Sequence, residues 1–216
     1  VTAQDGDRAP GRRGPRNREA TRERLIDAAM DVVFQDGARR LSLEAVAERA
    51  GVSKGGLLYH FRSKSELLQA MVDRHLVQLT EAIRVAHAEL TRDNRPNALV
   101  RAYLMAVSDE LCMETQSPMG LVAAIAEEPE LLEPVRLHNE RLLADLRADS
   151  ETPELAELAF LVVEGAWYLK LFGLNHFTRS QLERRLELLT ALLAAPPPCC
   201  SPGHADGSRP DGSLPD

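Results

Sequence analysis

The sequence predicts an all-α protein, and three observations carry that expectation. Leu and Ala dominate an apolar content of 44%, while aromatics reach only 4%, a balance that favours helices. No run of β-branched residues alternates with period two, so half-buried strands are not expected. Apolar residues recur at three- and four-residue steps, in segments that open on Ser or Pro or close on Gly. With 216 residues the chain has room for one or two domains with real cores. About nine helices are expected, as a three-helix head followed by a larger helical bundle.

Residues 1–16 are rich in Gly, Pro, Arg and Asp and read as a disordered arm. Arg12, Arg13 and Arg16, with Arg18, are either an arm for DNA or a solvated tail. Helix one is expected over Arg18–Gln35, with Leu25, Ala29, Val32 and Val33 as its stripe and Gly37 as its stop. Helix two spans Leu43–Ala50 behind the N-cap Ser42. Gly51 permits a left-handed turn. Ser53 caps helix three, Lys54–Phe61. Ser63 and Glu66 form a capping box for a long fourth helix, Lys64–Thr91, whose stripe is Leu68, Met71, Val72, His75, Leu76, Leu79 and Ile83. Further helices are read at Asn97–Glu114, Met119–Glu127, Glu130–Ala148, Pro153–Phe172 and Arg179–Ala194. Residues 196–216 form a second tail that cannot bury a core. The domains are therefore 17–63 and 64–195, between two disordered ends.

The net charge of −7 is unevenly spread. Residues 12–64 hold 12 Lys/Arg against 7 Asp/Glu, whereas residues 65–216 hold 13 against 24. A basic head is joined to an acidic body. Phosphate attraction is screened beyond about 8–10 Å, so the head's own charge decides its partners. No apolar stretch suits a membrane span, and the polar, arginine-rich start has no leader-like apolar segment. A cytoplasmic location is expected. Cys112 reads as a buried free thiol, and Cys199 and Cys200 have no partner at ligand spacing. No metal, cofactor or catalytic residue is expected: there is no phosphate loop, no metal-spaced set and no nucleophile–base pair. The chain is not expected to be an enzyme.

Residues 42–64 carry the functional signal. They form a helix, a glycine turn and a short second helix, an arrangement that places one helix in the major groove of DNA. Val46, Ala50, Val52 and Leu57 face inward, and Ala47 is small where the helices cross. Ser53, Lys54, Gly55, Gly56, Tyr59 and His60 face outward, as donors or as glycines that let backbone approach a groove wall. Lys64 opens helix four beside the phosphates, where the helix N-terminus adds positive potential.

The segments Thr21–Ile26, Ser42–Ala50 and Gly51–Lys64 resemble the DNA-binding domain of the TetR/AcrR transcriptional regulators. The resemblance is close over about residues 18–72 and extends beyond them only as helical layout. It implies phosphate contacts from Thr21 and Ser42, groove contacts from Lys54, Gly55, Gly56 and Tyr59, and phosphate contacts from His60 and Lys64. Leu58 departs from the family, which usually has Tyr there. Lys54 is the best base reader, for guanine O6/N7.

The resemblance further implies a homodimer on a palindromic operator, paired through the last two long helices. Leu158, Val162, Gly165, Leu169 and Phe172 make one candidate stripe, and Leu182, Leu186, Leu189 and Leu193 the other. Tyr103, Met105, Met113, Met119, Phe160, Trp167 and Tyr168 are candidate walls of a small-molecule pocket, with Glu110, His138, Asn139 and Arg141 as polar candidates. The expected function is a ligand-responsive repressor. An activator, or a non-specific architectural DNA-binding protein, remains the alternative.

Overall fold

The computed structural model describes residues 15–112 and 129–195. Among them are eight α-helices, three 3-10 segments and no strand. The helices are α1 (Pro15–Asp36), α2 (Leu43–Ala50), α3 (Lys54–Leu58), α4 (Lys64–Leu90), α5 (Ala98–Cys112), α6 (Glu133–Asp149), α7 (Pro153–Leu171) and α8 (Arg179–Ala194). The predicted helix at Met119–Glu127 lies outside the described residues, as do residues 1–14 and 196–216.

Local chemistry explains most boundaries. The hydroxyls of Ser42, Ser53 and Ser63 each accept from the backbone N–H three residues on, at 3.1 Å, which starts α2, α3 and α4. At α4 the Glu66 carboxylate accepts from the Arg62 N–H at 2.7 Å, one residue before the position a capping box uses. Thr178 and Gln181 form a full capping box at α8. Gly37 and Gly51 hold φ of 88° and 66°, the left-handed stops the sequence assigned to them.

Three boundaries differ from expectation by three residues, one of them at α6, which starts at Glu133 after a 3-10 segment rather than at Glu130. The first helix starts at Pro15, so part of the presumed arm is helical; proline suits a first turn because it has no N–H to satisfy. The third helix ends at Leu58, three residues before the predicted Phe61. Tyr59 and His60 form a turn, with the His60 and Phe61 N–H groups both donating to the Leu57 carbonyl at 2.8 and 2.9 Å. Two glycines weaken this helix, and the turn lets the Phe61 ring enter the core, where it is fully buried.

The buried residues form two cores. The head core holds Leu25, Ala29, Val33, Val46, Leu57, Phe61, Leu67, Leu68 and Met71. The body core holds Ile83, Val100, Tyr103, Leu104, Val107, Leu146, Ala159, Val163, Leu186 and Leu193. Helix α4 contributes to both: Leu67–Val72 to the head, Ile83 and Ala86 to the body. Leu131, from the 3-10 segment before α6, joins the head core, with Val135 packed against it. Charged braces hold the head together. Arg74 of α4 meets Asp27 of α1 at 2.5 Å, and Arg49 of α2 meets Asp36 at 2.7 Å. In the body, buried Asn97 donates to the Leu193 carbonyl at 2.8 Å and accepts from the Ser150 hydroxyl, which ties α5 to α8 and to the α6–α7 loop.

Candidate nucleic-acid interface and effector core

The α2–α3 corner closes through Gly51, whose N–H donates to the Glu48 carbonyl at 3.1 Å, while Val52 donates to Ala47 at 2.9 Å. Val46 and Leu57 fill its inner side with no exposure. Its outer side carries Ser53, Lys54, Gly55, Gly56 and Tyr59, all exposed. The structure thus brings these predicted outward residues together, while His60, also predicted outward, is half-buried. A Cβ placed at Gly55 would meet only the Ser53 hydroxyl, at 4.0 Å, and one at Gly56 would come within 3.3 Å of it. The chain's own packing makes no demand for glycine at 55.

The hydroxyls of Ser42 and Ser53 spend an oxygen lone pair on their caps and keep the O–H to donate. Thr21 is half-buried and donates to the Asn17 carbonyl at 2.8 Å, so its hydroxyl must turn to meet a phosphate. The Arg18 guanidinium lies 5.1 Å over the Tyr59 ring, and the His60 ring meets Tyr59 edge-on at 5.2 Å. Burial first, then Arg18 and Arg22, push the His60 pKa below its ordinary value, so the ring is neutral near pH 7. Lys64 is exposed at the start of α4. Lys54 forms an ion pair with Glu44 of the first α2 turn.

In the body, Tyr103, Phe160 and Trp167 are brought together. Tyr103 stacks on Phe160 with centroids 6.2 Å apart, and all three rings are buried. The Tyr103 hydroxyl lies beside the Glu164 carboxylate. Burial raises the Glu164 pKa above the usual carboxylate value, against the neighbouring Tyr103 hydroxyl, which lowers it. Burial likewise raises Glu110, opposed by Lys170. Lys170 donates to the Glu110 and Leu111 carbonyls at 3.0 and 3.2 Å and lies 5.6 Å from the Trp167 ring. His75 of α4 and His138 of α6 both have depressed pKa, burial being the largest cause, and His138 adds to the shift of His75.

Two predicted wall residues lie apart from this aromatic group. Met105 is exposed and lines a 540 Å³ cleft between α5 and α8, with Leu90, Ser108 and Leu186. Tyr168 is also exposed. On a helix, residues one or two apart point roughly 100° or 200° away from each other, so Met105 and Tyr168 turn from the side that holds Tyr103 and Trp167. Met113 and Met119 lie outside the described residues.

The two dimer stripes also part company. On α7, Leu158 (55% exposed), Val162, Gly165, Leu169 and Phe172 (67%) lie open together with Leu161. On α8, Leu182, Leu186 and Leu193 are buried in the chain's own core, with Leu189 packed against it. They belong to the intrachain contact with α5, which corrects their assignment to an interface. The apolar residues that α8 leaves exposed are Leu188 and Leu192.

Comparison with known proteins agrees with this geometry. Residues 25–71 match the family profile "Bacterial regulatory proteins, tetR family", and residues 97–194 match "Tetracyclin repressor-like, C-terminal domain". The chain belongs to the TetR family of transcriptional regulators. Among curated TetR-family relatives, the regulator BetI of Yersinia pestis is 28% identical over 170 residues, covering 74% of this chain and 85% of that protein. TtgR of Pseudomonas putida is 31% identical over 106 residues, 49% of this chain and 50% of that one. Among solved structures, a Rhodococcus transcriptional regulator superposes with TM-score 0.62 at 24% identity, covering 80% and 95% of the two chains. The multidrug binding protein EbrR, complexed with malachite green, gives 0.59 at 26% identity, covering 81% and 98%.

This TetR-family chain is thus an all-α regulator with a DNA-binding helix-turn-helix. No helix among the described residues is long and apolar enough to cross a membrane. Sequence reasoning passed over Glu44, Arg22 and Glu164. Glu44 looked like an ordinary acid of a helix first turn, and its pairing with Lys54 crosses the glycine turn. Glu164 sits three residues before Trp167, and that helical spacing was the signal that would have placed it beside the aromatic group.

Proposed function

We propose that the chain is a ligand-responsive repressor that binds a palindromic operator as a homodimer in the cytoplasm. The observation that carries this reading is the double membership of α4, which ends one core and begins the other. A ligand that repacks the body around Ile83 and Ala86 acts on the same rigid element whose first turns fix the α2–α3 corner. The ligand must bind the state that releases DNA more tightly than the state that holds it.

The DNA contacts of this reading are Thr21, Ser42, Ser53, Lys54, Gly55, Gly56, Tyr59, His60 and Lys64. The open α7 stripe supports pairing of two copies, with Leu188 and Leu192 of α8 at its margin in place of the buried leucines. Two heads then meet successive major grooves. Tyr103, Phe160 and Trp167 offer aromatic faces beside the Glu164 carboxylate, a chemistry suited to an organic cation. EbrR with malachite green supports an aromatic occupant for a body of this fold.

Selection of bound duplexes from random DNA at physiological salt, followed by footprinting, tests the reading. A two-fold symmetric site protected by a dimer is expected, with release on adding an aromatic cation. Binding without sequence preference, with a steep salt dependence alone, overturns it.

A further inference from the structure

We propose that Glu44 is a specificity-determining residue, forming with Lys54 a donor–acceptor pair that reads one C·G base pair in each half-site. The inference rests on the operator-binding reading above. Glu44 stands in the first turn of α2 and Lys54 opens α3, ten residues on, so their ion pair spans the glycine turn at the front of the corner. The pair is open to solvent, with side-chain exposures of 63% and 58%, and exposed pairs of this kind add little to stability. An acid on a face otherwise built of donors repels phosphate, so its place there calls for a role other than backbone attraction.

The chemistry of the pair supplies that role. The Glu44 carboxylate bonds to Lys54, which holds it ionised below its usual range. A carboxylate offers about four acceptor positions and an ammonium three donors, so both partners keep free capacity. In the major groove a C·G pair presents two neighbouring acceptors, guanine N7 and O6, followed by the cytosine N4 donor. Two Lys54 protons meet N7 and O6 while Glu44 accepts from N4, with the ion pair intact. An A·T pair separates its two acceptors by a donor and does not match. The bare Gly55 backbone leaves room for the base edge to approach.

The test compares the full chain with Glu44→Ala, Glu44→Gln, Lys54→Ala and the Glu44→Ala/Lys54→Ala double variant, by selection from random duplexes and by titration of the selected site against scrambled DNA. Glu44→Ala is expected to reduce preference for C·G at one position per half-site roughly ten-fold. Lys54→Ala is expected to erase preference at that same position, with the double variant no worse. Glu44→Gln, whose amide oxygen still accepts from N4, should fall between. If Glu44→Ala and Glu44→Gln leave the selected site unchanged, the proposal is overturned, whether affinity rises uniformly or stays the same. A change at a base pair different from that of Lys54→Ala overturns it too. A wild-type chain that selects no site at all overturns the operator reading together with this one.

Discussion

In the head, ionisable side chains lie at the surface and hold one another. Arg74 meets Asp27, Arg49 meets Asp36 and Lys54 meets Glu44. The body has exposed pairs as well, Arg136 with Glu133 and Arg147 with Glu157, but it also draws two carboxylates inward, where burial raises the pKa of Glu110 and Glu164. The difference fits the two partners proposed above, DNA for the head and a small effector for the body. A polyanion is met by charges that remain in water and exchange partners cheaply. A small organic molecule is met by few polar groups whose desolvation has been settled in advance.

The largest effect expected from breaking this contrast lies outside both polar sets. Val162→Arg on the open α7 stripe should yield monomers by sedimentation and weaken operator binding 10²-fold or more, because linked half-site binding is lost. Unchanged mass and affinity would place the dimer contact elsewhere. Leu57→Ala should cost about 2–5 kcal/mol, since its side chain is fully buried in the head core. If the two cores are separable, urea unfolding becomes biphasic, with DNA binding lost in the first step; a single shifted transition would mean that α4 couples them completely.

Smaller changes sharpen the contrast. Lys64→Ala should weaken binding alike on every sequence and lower the salt slope by about one, whereas Lys54→Ala changes base preference. Tyr103→Phe removes the hydroxyl beside Glu164 and should cost about 1 kcal/mol, read from chemical denaturation, while leaving operator affinity in the absence of ligand unchanged. The pH responses should have opposite origins. His60 is neutral because its pKa is depressed, and a nearby phosphate favours the protonated ring, so operator affinity should rise as pH falls toward 6; His60→Gln should flatten that profile. Glu164 has a raised pKa. Its contribution to stability is therefore full below the ordinary carboxylate pKa and is lost as pH rises through the raised value. Glu164→Gln should remove this loss, seen as a stability curve flatter between acidic and neutral pH.

Much of the head was legible in the sequence because its signals are local. The serine caps and Gly51 fix α2 to the residue, and the inward set around Leu57 follows from spacing. The end of α3 was not legible, because it depends on the demand of the core for Phe61, which outweighs the tendency of the helix to continue. The body was legible in its helices and less so in its faces. The period of Leu182, Leu186, Leu189 and Leu193 marks an apolar side but not what covers it, and α5 of the same chain covers it. Met105 and Tyr168 were grouped by residue type, whereas helical rotation separates them from Tyr103 and Trp167. The Glu44–Lys54 pair required the turn geometry, which sequence separation alone does not supply.

The length of α4 has a mechanical consequence. Twenty-seven residues make a rod of about 40 Å. A tilt of roughly three degrees about its distal end displaces the proximal end by about 2 Å, the difference between a direct hydrogen bond at about 2.9 Å and a contact with no bond at all. In a two-fold pair the displacements oppose one another, so the spacing between reading helices changes by up to about twice that amount. In the proposed dimer, a rearrangement too slight to melt a single helical turn would throw both heads out of step with the pitch of the duplex.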